Sequence, residues 1–301
     1  MTARHAKPGQ PPAATRALTR AATVTRFAPS PTGRLHAGHA FSAVRAHDFA
    51  ASRGGRFLLR IEDIDQGRSR PEHVATILAD LVWLGLDHEA PVFQSARRER
   101  YAAALDTLRA RGLVYRCFCT RAEIAASQGA PHGGEPVYPG TCRRLDAAEV
   151  AARADAPHCW RLDMAMAVAL AGPLLWHDHG HPVAAMPAAQ GDVVLARKDA
   201  GTSYHLAVTV DDAAQGVSDV VRGIDLFAAT HVHRLLQALL GLPTPAYHHH
   251  PLLLGPDGER LAKRHGAPTL AALREAGEDG RAFADALREG RLPTGFSTAN
   301  A

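Results

Sequence analysis

Strand-like and helical runs alternate along this chain on both sides of one interruption, and that interruption holds all four cysteines. Such alternation calls for a parallel sheet, because a strand that leaves through a helix re-enters the sheet in the same direction, with helices covering both faces. Val24-Thr25-Arg26-Phe27 is the first strand-like run, and in the loop Pro29-Ser30-Pro31-Thr32-Gly33 each proline pushes its predecessor out of the helical region. From Ala37 the apolar positions Ala37, Ala40, Phe41, Val44 and Phe49 recur at helical spacing as far as Gly54-Gly55. Arg56 to Glu62 predicts a second strand, with Phe57, Leu59 and Ile61 on one face and Leu58, Arg60 and Glu62 on the other. Two helices are predicted next: Pro71 suits a first helical position ahead of Val74, Ile77, Leu78 and Leu81, and Ser95 is expected to cap a second that carries Tyr101, Leu105 and Leu108 and closes at Gly112.

The character changes between Tyr115 and about Tyr204. Cysteines, a Gly/Pro-rich stretch from Gln128 to Gly140 and short strand-like runs at Cys159 to Leu162 and Asp192 to Arg197 describe an inserted subdomain. The alternation resumes with strand-like His205 to Val210 and Val220-Val221, a helix from about Thr230 to Leu240 and strand-like Leu252 to Leu254. Amphipathic segments around Leu270/Leu273 and Phe283/Leu287 follow. The expected organisation is a flexible basic tail (1–23), the first half of a Rossmann-like catalytic domain (24–114), the insertion (115–204), the second half (205–267), and a short helical segment with a tail (268–301).

At 301 residues the chain is long enough for a sizeable core without disulfides. Its longest uncharged apolar stretch, Met164 to Trp176, is broken by Gly172-Pro173 and is too short to span a bilayer, so no membrane role is expected. Four cysteines make no disulfide framework, and Met1 to Thr23 lacks the apolar run of a secretory signal, which together imply a reducing, cytoplasmic setting. A formal charge of +4 is compatible with a polyanionic partner without demanding one.

Two motifs carry chemistry. The first, RFAPSPTGRLHAGHA from Arg26 to Ala40, is a loop that leaves a strand and brings His36 and His39 to the start of a helix, with glycines that allow close backbone approach; it suits phosphates, or simply solvated helix-start residues. The second, LLGPDGERLAKRHGA from Leu253 to Ala267, is a tight turn followed by Lys263 and Arg264. The pair resembles the HIGH and KMSKS signatures of class I aminoacyl-tRNA synthetases in order and separation, with Ala262 where a serine is common. LRIEDID at Leu59 to Asp65 and the runs Phe93 to Thr120 and Tyr204 to Leu226 narrow the likeness to the catalytic half of glutamyl-tRNA synthetases, from Val24 to about Ala267.

That resemblance implies a class I α/β fold: a Rossmann-like parallel sheet with an inserted zinc-bearing α/β subdomain and short C-terminal helices. Only 34 residues follow Ala267. A full glutamyl enzyme continues into a helical anticodon-binding region, so the chain looks like the short branch that activates glutamate with ATP and Mg2+ and attaches it to the queuosine of tRNA(Asp), a base in the anticodon loop. A monomer is expected. A truncated enzyme charging tRNA(Glu) at its 3′ end, or a non-catalytic RNA-binding module, are the other readings; retention of Glu62, Arg222 and Lys263 argues against the second.

The resemblance also implies residue roles. His36, His39 and Lys263 serve ATP and the chemistry, and Arg26, Phe27, Ala28, Pro29, Ser30, Glu62, Tyr204 and Arg222 contact glutamate. Charge supports this, since an α-amino acid with a side-chain carboxylate needs one acid and one or two arginines; Glu62 suits the ammonium, Arg26 and Arg222 the carboxylates, and Tyr204 offers a hydrogen bond. Cys117-x-Cys119 and Cys142 supply three thiolates of a closed four-ligand zinc site. Chemistry alone offers His132 or Cys159 as the fourth ligand; the resemblance places it at Tyr138, and Cys159, beside Trp160, then reads as a core residue. Asp63, Asp65, Asp211 and Asp212 read as helix caps or arginine partners rather than magnesium ligands. His248-His249-His250 reads as the strand entering the ATP site, and Arg121, Arg143 and Arg144 are candidates for RNA phosphates.

Overall fold

The computed structural model describes residues 22–126, 137–255, 268–291 and 297–298. Its first half runs β1 (Val24–Phe27), α1 (Ala37–Ala51), β2 (Arg56–Ile61), α2 (Pro71–Trp83), β3 (Val92–Phe93) and α3 (Arg98–Ala110). The insertion follows with β4 (Val114–Cys117), α4 (Arg121–Ala126), α5 (Ala147–Ala151), β5 (Cys159–Leu162), α6 (Met164–Ala171), β6 (Leu175–Asp178), β7 (His181–Ala184) and β8 (Val194–Ala196). The second half is α7 (Tyr204–Ala214), β9 (Asp219–Gly223), α8 (Phe227–Leu240), β10 (Ala246–His250) and β11 (Leu253–Leu254), and α9 (Leu270–Glu275), α10 (Gly280–Arg288) and β12 (Ser297–Thr298) close the chain.

β1, β2 and β3 pair in parallel, as do β9, β10 and β6. The two groups abut where the Ser218 amide donates to the Val24 carbonyl at 3.0 Å and the Val24 amide donates to Ser218 Oγ at 2.8 Å. Strand order therefore runs outward from β1 through β2 to β3, and outward from β9 through β10 to β6. Such a reversal leaves a crevice beyond the carboxyl ends of the strands, which is where doubly wound folds bind ligands.

The core follows from composition. α1 presents Ala40, Ala43 and Ala46, all without exposed surface, so the helix lies close against the sheet beside Phe41 and Val44. On the other side Tyr101, Leu105, Leu206, Ala207, Val232 and Leu235 join α3, α7 and α8 in a second cluster. Gly55 is required between α1 and β2, because a Cβ there would stand 2.3 Å from the carbonyl oxygen of Thr23. The antiparallel sheet β4-β5-β8 belongs to the insertion, but its hairpin β6-β7 does not: the two strands extend the sheet of the second half through the pairing of Tyr247 with Asp178. His179 (φ 48°) and Gly180 (φ 84°) form its turn, whose positive φ angles match the twist of a two-residue hairpin.

Two expectations need correction. His205 to Val210 is helix, not strand: α7 buries Leu206, Ala207, Val208, Thr209, Asp211 and Asp212, and a helix enclosed nearly all round carries no clean period in its sequence. Ser95 caps nothing; it sits inside a 3-10 turn, Gln94–Arg97, where its amide and Oγ both donate to Asp63 at 2.8 and 2.6 Å, and α3 starts after Arg97 with no side-chain cap. β2, by contrast, is as expected of a strand covered on both faces, since Phe57 through Ile61 are all buried.

Candidate active site

The carboxyl ends of β1, β2, β9 and β10 open on one cavity of about 400 Å³. Its walls include Arg26, Phe27, Ala28, Pro29 and Ser30 from the end of β1, Glu62 just beyond β2, Tyr204 at the head of α7, Arg222 in β9, and His36 and His39 at the head of α1. Every described residue of the expected glutamate and ATP sets thus faces a single space. Lys263 lies outside the described residues, as do Ala262, His132 and the tail 1–21.

The two histidines build the helix start they stand on. His36 is the N-cap of α1; its Nδ1 accepts from the Gly38 amide at 3.2 Å, while Nδ1 of His39 accepts from the His36 amide at 3.2 Å. Both rings therefore carry their hydrogen on Nε2. Gly38 makes room, since a Cβ there would lie 3.1 Å from the His36 ring. The result is a helix N-terminus flanked by donors, where negative charge is stabilised. Backbone pairing of His36 with Thr269, and the Leu270 amide donating to Leu35 at 2.9 Å, tie the start of α9 to this same turn.

Behind the cavity floor lies a buried charge network that the sequence did not reveal as one unit. Arg60, with no exposed surface, donates to Asp212 at 2.7 Å and to Gln215 at 3.0 Å and reaches Glu62 at 3.5 Å. Arg26 Nε donates to the same Asp212 oxygen at 3.1 Å, which among the described residues leaves its Nη groups to the cavity. Asp211 accepts from Gln94, Arg97 and Tyr101 at 3.0, 2.6 and 2.7 Å. Burial pushes the Asp212 carboxyl up, but Arg26 and Arg60 outweigh it and hold the group below its ordinary value. Burial dominates at Glu62, whose pKa is pushed up to about 7 despite Arg60 and Arg26. Asp211 and Asp212 are arginine partners, as expected, and Asp65 likewise accepts from Arg68 at 2.7 Å, whereas Asp63 accepts from Ser95.

Arg222 is held from behind. Its Nη2 donates to Thr230 Oγ1 at 2.6 Å and to the Leu226 carbonyl at 3.1 Å, and its Nε donates to His249 Nε2 at 3.3 Å. His249 Nδ1 in turn donates to Asp178 at 3.0 Å. Nη1 donates to the Tyr204 hydroxyl at 3.3 Å, which among the described residues leaves its second hydrogen to the cavity. The histidine triplet does alternate in β10: His249 backs Arg222, His248 turns to Asp219 at 2.9 Å, and His250 lines the cavity. Thr230 carried no signal in the sequence, because its role depends on α8 crossing β9.

The cysteines assemble at the far end of the insertion. The sulfurs of Cys117, Cys119 and Cys142 lie within 4.8 Å of one another, and Cys119 Sγ stands 3.5 Å from the Tyr138 hydroxyl. Amides support the set, Phe118 donating to Cys142 Sγ at 3.4 Å and Cys142 donating to the Tyr138 hydroxyl at 2.8 Å. Hydrogen bonding, from Cys159 first and then Tyr138 and Arg161, holds the Cys117 thiol down to about 4 against the effect of burial, whereas burial pushes Cys119 up to about 11 with Cys117 and Cys142 adding to the rise. Thiols so close resist ionising together, and a dication is what offsets that repulsion, so the donor set fits a metal ion. Cys159 is not a core residue: it is half-buried against this cluster, directly across from Cys117 in the β4-β5 register. Arg143 and Arg144 are both exposed, Arg143 pairing through one Nη with Asp192 at 3.1 Å, and the Arg121 side chain lies outside the described set.

Residues 22–290 match the family described as tRNA synthetases class I (E and Q), catalytic domain. Glutamyl-Q tRNA(Asp) synthetase of Rhodobacter capsulatus is 50% identical over 268 residues, covering 84% of this chain and 95% of its own, and that of Deinococcus radiodurans is 46% identical over 274 residues, covering 87% and 88%. Among solved structures, glutamate-tRNA synthetase from Elizabethkingia anophelis superposes with a TM-score of 0.75 at 27% identity over 88% of this chain and 61% of that one. The chain belongs to the class I tRNA synthetases of the glutamate and glutamine branch. Within that branch its family is the glutamyl-Q tRNA(Asp) synthetases.

Proposed function

We propose that this protein activates glutamate with ATP and transfers the glutamyl group to the queuosine of tRNA(Asp). The observation that carries the reading is the convergence of Arg26, Glu62, Tyr204 and Arg222 with the His36/His39 helix start in one cavity at the strand-order reversal. Glu62 takes the substrate ammonium, and the guanidinium groups of Arg26 and Arg222 take carboxylates. The α-carboxylate attacks the α-phosphorus of ATP, which enters with Mg2+; pyrophosphate leaves and glutamyl-AMP forms. The Nε2 hydrogens of His36 and His39, with Lys263, meet the charge that develops on phosphate. No protein nucleophile is needed, and activation proceeds without tRNA because Arg222 and Glu62 are already held by buried partners. Cys117, Cys119, Tyr138 and Cys142 hold one structural zinc ion, which ties β4 to the turn at Thr141–Arg144 when bound.

The reading is tested by offering labelled glutamate to two anticodon stem-loops of tRNA(Asp), one with queuosine and one with guanosine. Only the first should accept it. Transfer to the 3′-terminal adenosine of tRNA(Glu), with none to the queuosine stem-loop, would favour a tRNA(Glu)-charging enzyme instead.

Glutamate binding should depend on pH with a defined sign. The substrate ammonium needs Glu62 ionised, and burial pushes the Glu62 carboxyl up to about 7. Affinity should therefore rise as pH increases through 7, weakening roughly tenfold per unit below it and levelling above it. Calorimetric titration from pH 5.5 to 8.5 measures this, and Glu62→Gln should bind weakly with the slope removed. A flat wild-type profile would mean that Glu62 is not the ammonium's partner.

A further inference from the structure

A groove of about 910 Å³ runs from the cysteine cluster to the glutamate cavity, and Tyr204 lines both spaces. The next residue, His205, lines the groove alone. Adjacent residues at the head of α7 thus look into the two spaces on either side of one seam. Tyr204 is therefore the wall that a group lying in the groove shares with the glutamate cavity.

His205 Nδ1 pairs with Nε2 of His233 at 3.3 Å, and His233 is almost completely buried. Among the described residues Nε2 of His205 has no protein partner, so the ring offers its second nitrogen to the groove. We propose that His205, braced by His233, receives the hydroxyl that attacks the activated glutamyl carbonyl, in the groove beside Tyr204. With Nδ1–H donating to His233, Nε2 presents a lone pair; it accepts the hydroxyl hydrogen and turns the oxygen toward the carbonyl carbon. The inference rests on the two-step reaction proposed above, and it concerns the acceptor diol common to queuosine and to a terminal ribose.

His205 holds this proton rather than taking it. Burial, with the nearby Arg222 charge, pushes its pKa down to about 4, so the imidazolium is disfavoured by about a thousandfold at pH 7. The bond that forms joins the hydroxyl oxygen to the carbonyl carbon; the bond that breaks joins that carbon to the phosphate oxygen of AMP. The proton departs with the AMP phosphate, and the imidazole ends the step neutral, as it began.

The test separates the two steps in the full-length protein. Glutamate-dependent pyrophosphate exchange reports adenylate formation, and single-turnover transfer from preformed glutamyl-AMP to queuosine-bearing tRNA(Asp) reports the second step. For His205→Ala, exchange should stay within about threefold of wild type while transfer slows about a hundredfold, as expected of a lost positioning contact. His205→Gln, whose amide oxygen can accept the same hydrogen, should recover much of the loss, and the wild-type transfer rate should be flat between pH 6 and 8. Equal losses in both steps, or transfer unchanged by His205→Ala, would overturn the proposal. If wild type charges tRNA(Glu) instead, the reading of the acceptor fails, while the same split measured on tRNA(Glu) still decides the role of His205.

Discussion

Asp212→Ala should destabilise the protein by about 3–5 kcal/mol, the largest effect expected of any single change at the site. The carboxylate is shared by Arg26 and Arg60, and Arg60 has no exposed surface through which water could replace it. Removing Asp212 leaves a buried guanidinium with the neutral Gln215 oxygen at 3.0 Å and its remaining carboxylates at 3.5 Å (Glu62) and 4.0 Å (Asp211), too far to replace a 2.7 Å charged hydrogen bond. For a chain of this size the loss lowers the melting temperature by on the order of 10 °C. Glutamate activation should fall with it, because Arg26 loses the contact that aims it. Asp212→Asn keeps one acceptor oxygen and should lie between the two. Thermal unfolding measures the first effect and pyrophosphate exchange the second; an alanine variant melting within 2 °C of wild type would falsify the account of the network.

The second large effect concerns the cysteine cluster. Cys142 touches three parts of it at once: its sulfur accepts from Phe118 and lies 3.4 Å from Cys119, and its amide donates to Tyr138. Cys142→Ser should release the metal and lower the melting temperature by on the order of 10 °C, because a site that closes only in the folded chain adds its binding energy to folding. Cys159→Ser should retain stoichiometric zinc and lose far less. The readouts are zinc per chain by elemental analysis and melting with and without a chelator. Equal losses from the two variants would make Cys159 a ligand, and a chelator without effect would mean that the insertion does not depend on the ion.

Local pattern made most of the fold legible. β1, α1, α2 and α8 appear where period, proline and glycine place them, because each carries a clear boundary signal beside its apolar positions. α7 did not, because burial on nearly every side erases the 3.6-residue period and leaves a β-branched run that mimics a strand. The candidate site divides in the same way. Residues that face the cavity could be inferred from the charge a glutamate brings. Their supports could not: Thr230 and His249 meet Arg222, and Asp212 meets Arg26, only after α8 and α7 have crossed the sheet, and nothing local marks such a partner.

The β6-β7 hairpin gives the cysteine-bearing insertion a mechanical link to the catalytic floor. Asp178, at the end of β6, holds His249, and His249 holds Arg222, so the stretch that begins after α3 (Arg98–Ala110) and ends at the head of α7 is joined to the framework a third time between those points. Three attachment points fix a body in space where two would leave a hinge. The cysteine-bearing stretch is therefore tied to the framework behind Arg222 as well as at its two ends, so a change at Asp178 is felt at Arg222 through His249.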